Sequence, residues 1–500
     1  MSKEEKMKKV ISMVLALLMI ISSVSFMVAC GSGTPGDTET KKPSTDVPGD
    51  GDNEVTHKVP KQDFDGETFN SFAGPLHTVK YYYFTDEEAA GDPIKEALWQ
   101  RAELIKEHLN CNITHEFTEG NEMEGISSIL NDQVIAGSDD YQQVLIHPIH
   151  GVSSLVVNGQ AYDFAALPNV DLNAEWWDLE DMESLRVGKY YIYGRSDFMI
   201  SAPHVVIFNK TMVSDLNLES PYDLVNAKTW TLDKMIEMSK AAVNDANNDG
   251  KYLPFEDTFG ITLSEISKFN SFLISCDQPI SKKNAEGRLE LAINTEKTVK
   301  IVEKFYDLWT TNGAVFVAAD NMGYGINHEQ LFGEGRALFV IHDLSILELF
   351  RDYEVDTGIA PYPKYDAQQA EYKSMDWGSM WAIPGTIKNP ELVGSVVELY
   401  SYFSADTIVP AYYDKVLEGK LAQDLESRKM LELIFDSVSF DPINNYFGFH
   451  SGIGHLAFVI GKLVIEGNSQ NFASFYKGRA NGAQNTIDEY YKNLEKGGLI

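Results

Sequence analysis

The chain has 500 residues, of which 74 are acidic and 41 basic, so its net charge is −33 at neutral pH with histidine uncharged. A surface this acidic repels phosphate backbones and anionic headgroups, which argues against nucleic acid and charged lipid surfaces as ligands. Neutral ligands are not excluded, because acidic surfaces also keep exported proteins soluble.

The first thirty residues have the layout of a bacterial lipoprotein export signal. Lysines 3, 6, 8 and 9 precede an uncharged apolar run, 10–29, and small residues surround Cys30 at its end. Cleavage of the signal peptide 1–29 would leave Cys30 to be lipidated, anchoring the protein to the extracellular face of the bacterial cell membrane. An uncleaved transmembrane helix is the alternative, although the serines within the run favour cleavage.

The segment after Cys30 is predicted to be a disordered tether. It consists mainly of Gly, Ser, Thr, Pro, Asp, Glu and Lys, with few sizeable apolar residues. Such a composition cannot bury enough apolar surface to offset the entropy of ordering. We therefore assign residues 30–62 to the lipidated cysteine and a tether that holds a folded body away from the membrane. A flexible tail without a spacing role is the alternative.

The body, from residue 63 onwards, alternates helical and strand patterns. Apolar residues at helical spacing predict helices at Pro93–Leu109, after Asn294, at Val393–Phe403 and at Leu421–Phe435. Short apolar runs predict strands at Tyr141–Ile146, His204–Phe208 and Gly335–Ile341. Interleaved strands and helices indicate an α/β fold with sheets covered on both faces. Roughly 440 residues exceed what one core normally serves, so two lobes are expected.

Two cysteines, Cys111 and Cys276, would remain after processing. One disulfide between them is compatible with an oxidising compartment, but a single pair in so large a body is no disulfide framework. Cys276 follows the apolar stretch Phe272–Ile274, where a thiol behaves as a small hydrophobe. We therefore expect two buried free thiols.

Catalytic motifs are nearly absent. The sequence contains no His-Glu-x-x-His, no Cys-x-x-Cys, no Gly-x-Ser-x-Gly and no Gly-x-x-x-x-Gly-Lys. His147 and His150, and the pair His328–Glu329, lack the partners that a zinc site requires, so we expect these histidines to lie in loops. The sequence predicts a protein that is not an enzyme.

One local motif is specific for a metal. Residues 245–256 match the twelve-position calcium loop Asp-x-Asn-x-Asp-Gly-x5-Glu. The predicted ligands are the side chains of Asp245, Asn247, Asp249 and Glu256 and the carbonyl oxygen of Lys251. A helical pattern at 232–243 precedes the loop, but none follows it, so an isolated structural Ca²⁺ site is expected. A helix-ending turn without metal is the alternative.

Eight blocks of the body occur in the order in which a known family carries them. They are Trp176–Asp178, Phe208–Lys210, Ser220–Val225, Lys228–Asp233, Asp245–Gly250, Gly358–Asp366, Pro410–Tyr413 and Asp424–Leu431. Through these blocks the chain resembles the extracellular solute-binding lipoproteins of ABC importers, specifically the group associated with carbohydrate uptake. Gln423, where the group often has arginine, and the aromatic stretch Met375–Trp381 depart from it, which affects the expected ligand more than the expected fold.

The resemblance implies a two-lobed, periplasmic-binding-protein-like fold of type II, with a hinge between the lobes and a ligand cleft at the hinge. Lobe 1 would comprise 63–203 and 376–440, and lobe 2 would comprise 204–375 and 441–500. The chain would cross between lobes near 202–208, 373–377 and 440–442. A ligand that touches both lobes would favour closure by its differential affinity.

The aromatic content, with 24 Tyr and 7 Trp, suits a sugar ligand. Flat rings stack on pyranose faces while polar side chains bond the hydroxyls. The candidate ligand residues, which follow strands or flank the crossings, are Asp86, Glu87, His147, Trp176, Trp177, Asp197, Trp377 and Trp381. For each of them, packing in the core or exposure at the surface is the alternative.

The leading hypothesis is therefore a membrane-anchored, monomeric protein that captures a sugar or oligosaccharide and delivers it to the permease subunits of an ABC importer. The same fold binding a peptide or another polar solute is the second hypothesis. The third hypothesis is a surface enzyme that acts on polysaccharide, and the last is a structural or adhesive surface protein.

Overall fold

The computed structural model describes residues 56–74, 82–83, 91–117, 125–146, 160–376, 380–417, 424–443 and 451–496. The predicted signal, Cys30 and most of the predicted tether lie outside these residues, as do Asp86, Glu87, His147, His150 and Trp377. No helix among the described residues combines the length and the apolarity that a membrane crossing requires.

The described residues contain thirteen short strands. They are β1 Thr68–Ala73, β2 Asn112–Phe117, β3 Gln143–Ile146, β4 His204–Asn209, β5 Phe259–Leu263, β6 Ser281–Lys283, β7 Leu289–Leu291, β8 Val315–Val317, β9 Ala337–Asp343, β10 Thr357–Ala360, β11 Ser374–Met375, β12 Met380–Ala382 and β13 Val438–Ser439.

The α-helices are interleaved with these strands. They are α1 Pro93–Leu109, α2 Gly125–Ala136, α3 Leu179–Ser184, α4 Lys210–Asp215, α5 Pro221–Asn226, α6 Leu232–Ala241, α7 Ser271–Ser275, α8 Glu296–Trp309, α9 His328–Gly333, α10 Pro390–Asp406, α11 Ile408–Leu417, α12 Leu425–Asp436, α13 Ser451–Ala457, α14 Phe472–Lys477 and α15 Ala480–Lys496. Short 3₁₀ helices, such as Ile266–Asn270, and one π-helix, Ile460–Ile465, complete the description.

The first sheet has the strand order β2–β1–β3–β12. Strands β1, β2 and β3 run parallel, while β12 joins antiparallel and pairs Trp381 with Leu145. Helix α1 covers this sheet together with α10. It begins at Pro93, where the Asp92 carboxylate accepts hydrogen bonds from the first-turn N–H groups, and Asn110 ends it in the left-handed conformation.

The second sheet has the order β10–β4–β9–β5–β8. Strands β5, β8 and β9 are parallel, and β4 is antiparallel to both of its neighbours. Every residue of β4 is buried, as expected for a strand covered on both faces. Helix α9 packs on β9 and β5, and α6 packs on β5. Each sheet is covered by its own helices, so the body has the two α/β lobes that the sequence predicts.

Three segments join the two sheets, close to the predicted crossings. Strand β11 pairs in parallel with β13, and Pro203, just before β4, forms a bridge with Asp376. The lobe boundaries themselves stay a prediction. Helix α12, which those boundaries assign to lobe 1, packs on β10 of the second sheet. Its N-cap Asp424 accepts a 2.7 Å hydrogen bond from Lys210, which favours assigning α12 to the second lobe.

Both remaining cysteines are buried and free, as predicted. Burial raises the pKa of the Cys111 thiol to about 11 and that of Cys276 to about 12. Both thiols therefore stay protonated at neutral pH, and because the thiolate is the reactive form, they are unreactive there. They serve as small apolar groups of the core.

Candidate ligand site at the lobe junction

The carboxyl ends of the parallel strands lie beside the segments that join the sheets. Directly after β9, the N–H of Leu344 donates a 3.0 Å hydrogen bond to the carbonyl of Pro203. In the first sheet, β12 begins at Met380 opposite Ile146, the last residue of β3. Ligands of α/β proteins bind beyond the carboxyl ends of such strands. This lobe junction is therefore the candidate functional site.

A buried ion pair holds the joining segments together. Nη2 of Arg195 lies 3.2 Å from Oδ2 of Asp376, and the Ser201 hydroxyl donates to the same oxygen at 2.7 Å. The guanidinium of Arg195 lies over the ring of Phe440, 4.9 Å from its centroid. Burial opposes the charge on Arg195, but the carboxylates of Asp376, Asp181 and Asp178 together outweigh it, so the pKa of Arg195 is raised. The pair thus contacts all three joining segments.

Polar side chains at the carboxyl edge of the second sheet form a cluster. Oδ2 of Asp343, the last residue of β9, lies 3.1 Å from Nζ of Lys268 and 3.1 Å from Nδ1 of His342. Burial alone would raise the pKa of Asp343, but His342 and Lys268 hold it well below its ordinary value. The side chains of Lys268, His342 and Asp343 keep 11, 18 and 22% of their surface exposed, so solvent reaches each of them.

His328 lies next to this cluster, and the prediction that it lies in a loop was wrong. It was expected in a loop, but it occupies the first turn of α9, which the Asn327 side chain caps. Its ring stacks on His342 with centroids 5.3 Å apart and planes 13° from parallel. Burial, followed by His342 and Lys268, lowers the pKa of His328 to about 3. Its imidazole is therefore uncharged at neutral pH.

Trp176 and Trp177, two predicted ligand residues, pack in the first lobe around a buried carboxylate. Their indole N–H groups donate to the two oxygens of Glu398, at 3.0 and 2.7 Å. Only 4% of each tryptophan and 1% of Glu398 is exposed. Burial raises the pKa of Glu398 to about 7, although the indole N–H groups favour the charged form. This placement favours core packing over contact with a ligand.

Trp381 is also enclosed in the core of the first lobe. Its ring is fully buried and stacks on Phe198 at 4.6 Å and on Trp177 at 5.6 Å. The N–H of Gly194 donates to the carbonyl of Trp381. The indole itself lies against Gly194, where the absence of a side chain leaves room for it. As for the other two tryptophans, the structure favours packing over stacking on a sugar.

Asp197, unlike the three buried tryptophans, is a predicted ligand residue that is partly exposed. Its N–H donates to the carbonyl of Trp176 at 2.9 Å. Burial, and then the charges of Asp197 and Asp376, raise the pKa of the Tyr413 phenol. Asp197 and Asp376 therefore both lie within electrostatic reach of the Tyr413 phenol. The roles of Asp86, Glu87, His147 and Trp377 stay predictions, because these residues lie outside the described part of the chain.

The calcium-like loop is closed by hydrogen bonds among its own groups. The N–H groups of Asp249 and Gly250 donate to the carboxylate of Asp245 at 3.2 and 2.8 Å. The amide of Asn247 donates to Glu256 at 2.9 Å. Throughout the described residues, no group of three or more His, Cys, Asp or Glu side chains is arranged to hold a metal ion. Calcium binding by this loop, including the Lys251 carbonyl, stays a prediction.

Comparison by sequence gives no match: neither a protein-family model nor a curated protein matches the chain. Solved structures do match its fold. The ABC transporter solute-binding protein of Agrobacterium radiobacter K84, in complex with ribitol, has a TM-score of 0.54 at 12% identity, covering 85% of this chain and 99% of that one.

Two further solved structures match over a similar extent. A Thermotoga lettingae solute-binding protein bound with α-D-tagatose has a TM-score of 0.53 at 14% identity, covering 85% of this chain and all of that one. The maltose/maltodextrin-binding domain of Bdellovibrio bacteriovorus, bound to maltotriose, has a TM-score of 0.52 at 14% identity, covering 87% and 100%. The chain therefore has the two-lobed α/β fold of the periplasmic solute-binding proteins.

Proposed function

We propose that this protein is an extracellular solute-binding protein that captures a sugar or a related polyol between its lobes and delivers it to an ABC importer. One observation supports this most strongly. The matching structures, which are binding proteins solved with ribitol, tagatose and maltotriose, are each covered almost completely by this chain. The near absence of catalytic motifs agrees with binding without turnover.

The side chains at the junction suit hydroxyl groups. On the second lobe, Asp343 offers carboxylate acceptors while Lys268 supplies N–H donors beside it. A sugar hydroxyl both donates and accepts, so it can bond to both members of such a pair. Hydrogen bonds to charged groups are stronger than neutral ones, which gives a small polar ligand useful affinity. On the first lobe, Asp197 would supply a further acceptor.

Closure of the two lobes would follow from contacts on both sides. A ligand held by Asp343 on one lobe and Asp197 on the other binds the closed arrangement more tightly than the open one. The ligand therefore shifts the protein from the open to the closed state, to an extent set by the difference between its affinities for the two. The ion pair between Arg195 and Asp376 would keep the joining segments together while the lobes move.

The remaining parts of the proposal concern location and assembly. Lipidation at Cys30 would anchor the protein, as a monomer, on the outer face of the membrane next to the importer. The tether would allow the body to reach the permease subunits. Ca²⁺ in the loop 245–256 would act structurally by fixing the end of α6.

Isothermal titration against pentitols, hexoses, maltooligosaccharides and, for comparison, dipeptides tests the proposal. We expect binding of at least one sugar or polyol without product formation. Asp343→Asn should weaken that binding about 10- to 100-fold, the cost of removing a charged hydrogen-bond partner. Asp307→Asn, on the exposed side of α8, is the matched control and should bind as wild type does.

A flat response to every sugar and polyol would contradict the proposed ligand class, and binding of a dipeptide would support the second hypothesis. Unchanged affinity in a stably folded Asp343→Asn variant would instead show that the ligand binds elsewhere. Product formation during the titration would contradict a binding role without catalysis.

A further inference from the structure

Residues 56–64, which we call the docked strap, lie along the first lobe where the predicted tether enters the body. The N–H groups of Gln62 and Phe64 donate to the carbonyls of His108 and Leu109, at 3.3 and 3.0 Å. Val59 within the strap is 96% buried. These contacts are made to the last turn of α1, so the strap is attached by a short row of backbone hydrogen bonds and one apolar anchor.

A histidine near the start of the strap lies among aromatic rings. The ring of His57 contacts those of His108, Tyr402 and Phe403 edge-on, with centroids 5.0, 4.7 and 5.9 Å apart. Its Nδ1 is buried without a hydrogen-bond partner. The second ring of the pair is also tied to the strap, since Nε2 of His108 lies 3.2 Å from the carbonyl of Val59.

We propose that the docked strap is an acid-released latch. When His57 takes up a proton, it places a partly buried positive charge against His108, and the strap leaves the first lobe. Burial, and then the neighbouring His108, already lower the pKa of His57 from its ordinary value. A base with a lowered pKa in the docked state stabilises docking above its free pKa of about 6.5, and this contribution is lost as the pH falls below that value.

The carboxylates that hold the strap also lose their stabilising contribution on acidification, but only below their ordinary pKa of 3.8, well under the range in which His57 titrates. Lys58 pairs with Asp171 at 2.5 Å, and this hydrogen bond lowers the pKa of Asp171, so the ion pair persists in mild acid. A hydrogen bond from Asn110 likewise lowers the pKa of Asp63. Glu398, one turn before Tyr402 on α10, has its pKa raised by burial, so its protonation in mild acid stabilises the lobe rather than releasing the strap.

Release would change the reach of the protein rather than its affinity. Nine residues of extended chain span about 30 Å, which would be added to the predicted tether when the latch opens. The latch does not rest on the identity of the ligand, because none of its residues belongs to the lobe junction.

A spin label at position 56 measures the state of the latch directly. The full chain carrying Thr56→Cys and Cys30→Ser would be labelled with a nitroxide, since Cys111 and Cys276 are buried and unreactive. The label should be largely immobilised at about pH 8, and its mobile fraction should rise several-fold at about pH 5 as His57 becomes charged.

Three variants separate the latch from general acid effects. His57→Phe keeps a ring in the pocket without a titrating charge, so its label should stay immobilised at both pH values. His108→Gln removes the like charge and should reduce the release. Glu398→Gln should release the strap as wild type does. A label equally immobile, or equally mobile, at both pH values in the wild-type background would overturn the proposal. So would release in His57→Phe, or its loss in Glu398→Gln.

Discussion

The contact between Trp381 and Gly194 allows the packing of the first lobe to be tested by a double-mutant cycle. A Cβ atom built on Gly194 would lie 1.9 Å from Nε1 of Trp381, so an alanine there cannot coexist with the indole in its present position. Gly194→Ala should therefore cost about 1–3 kcal/mol of unfolding free energy, the usual penalty for overpacking a core.

Trp381→Ala should be more damaging on its own. The ring is fully buried between Phe198 and Trp177. A tryptophan buries about 150–250 Å², which at about 25 cal/mol per Å² corresponds to roughly 4–6 kcal/mol. Measured truncations of buried aromatic residues cost about 3–5 kcal/mol, so we expect about 4 kcal/mol.

In the double variant the two penalties should not add. Removing the indole makes room for the methyl group at position 194, so Gly194→Ala should cost close to nothing in the Trp381→Ala background. The expected coupling is about 1–3 kcal/mol, measured by urea unfolding followed by far-UV circular dichroism. Additivity within about 0.5 kcal/mol would refute the packing, because independent sites add to that precision.

The same variant decides between packing and ligand contact. If Trp381 only fills the core, the folded Trp381→Ala protein should bind its sugar with nearly wild-type affinity. A stability that hardly changes, together with a tenfold loss of affinity, would restore the hypothesis that the ring stacks on the ligand.

Three further predictions follow from individual residues. Folding raises the pKa of Glu398 from 4.5 to about 7, so its negative charge opposes folding. The free energy of unfolding of the wild type should therefore decline by about 3 kcal/mol between about pH 4.5 and 7. Urea unfolding of Glu398→Gln should show no such decline. If Ca²⁺ binds, a chelator should lower the melting temperature of the wild type but not of Asp249→Ala, and an unchanged melt in both would remove the site. Cys30→Ser should release or misprocess the protein, and a membrane-bound, unprocessed variant with the wild-type mass would indicate a transmembrane helix instead.

The α/β elements could be predicted from the sequence because their signals are local. Helix α1 occupies the predicted range Pro93–Leu109, where proline, an acidic N-cap and an apolar stripe all agree. Strands β4 and β9 lie within two residues of their predicted starts. The helix expected after Asn294 begins one residue later, because the Thr295 hydroxyl provides the cap.

The candidate site could be predicted only in part, because its members meet through sheet pairing. Lys268 contacts Asp343 because β5 and β9 are neighbours in the second sheet, although 75 residues separate the two side chains. A polar His-Asp pair directly after the predicted strand Gly335–Ile341 was the available signal for His342 and Asp343. The tryptophans near the crossings were chosen for ring chemistry, but the pairing of β12 with β3 decides which way Trp381 points.

The antiparallel strand β12 also sets a condition on how the protein is made. It completes the first sheet by pairing Trp381 with Leu145, residues that lie about 235 positions apart with the whole second sheet between them. Contacts of such long sequence separation form slowly, because a large loop must close before they contribute. The first lobe therefore stays incomplete until more than three quarters of the chain has been synthesised. If the chain is exported as we propose, this delay would keep the first lobe unfolded, and so able to be threaded through an export machinery, until late in synthesis.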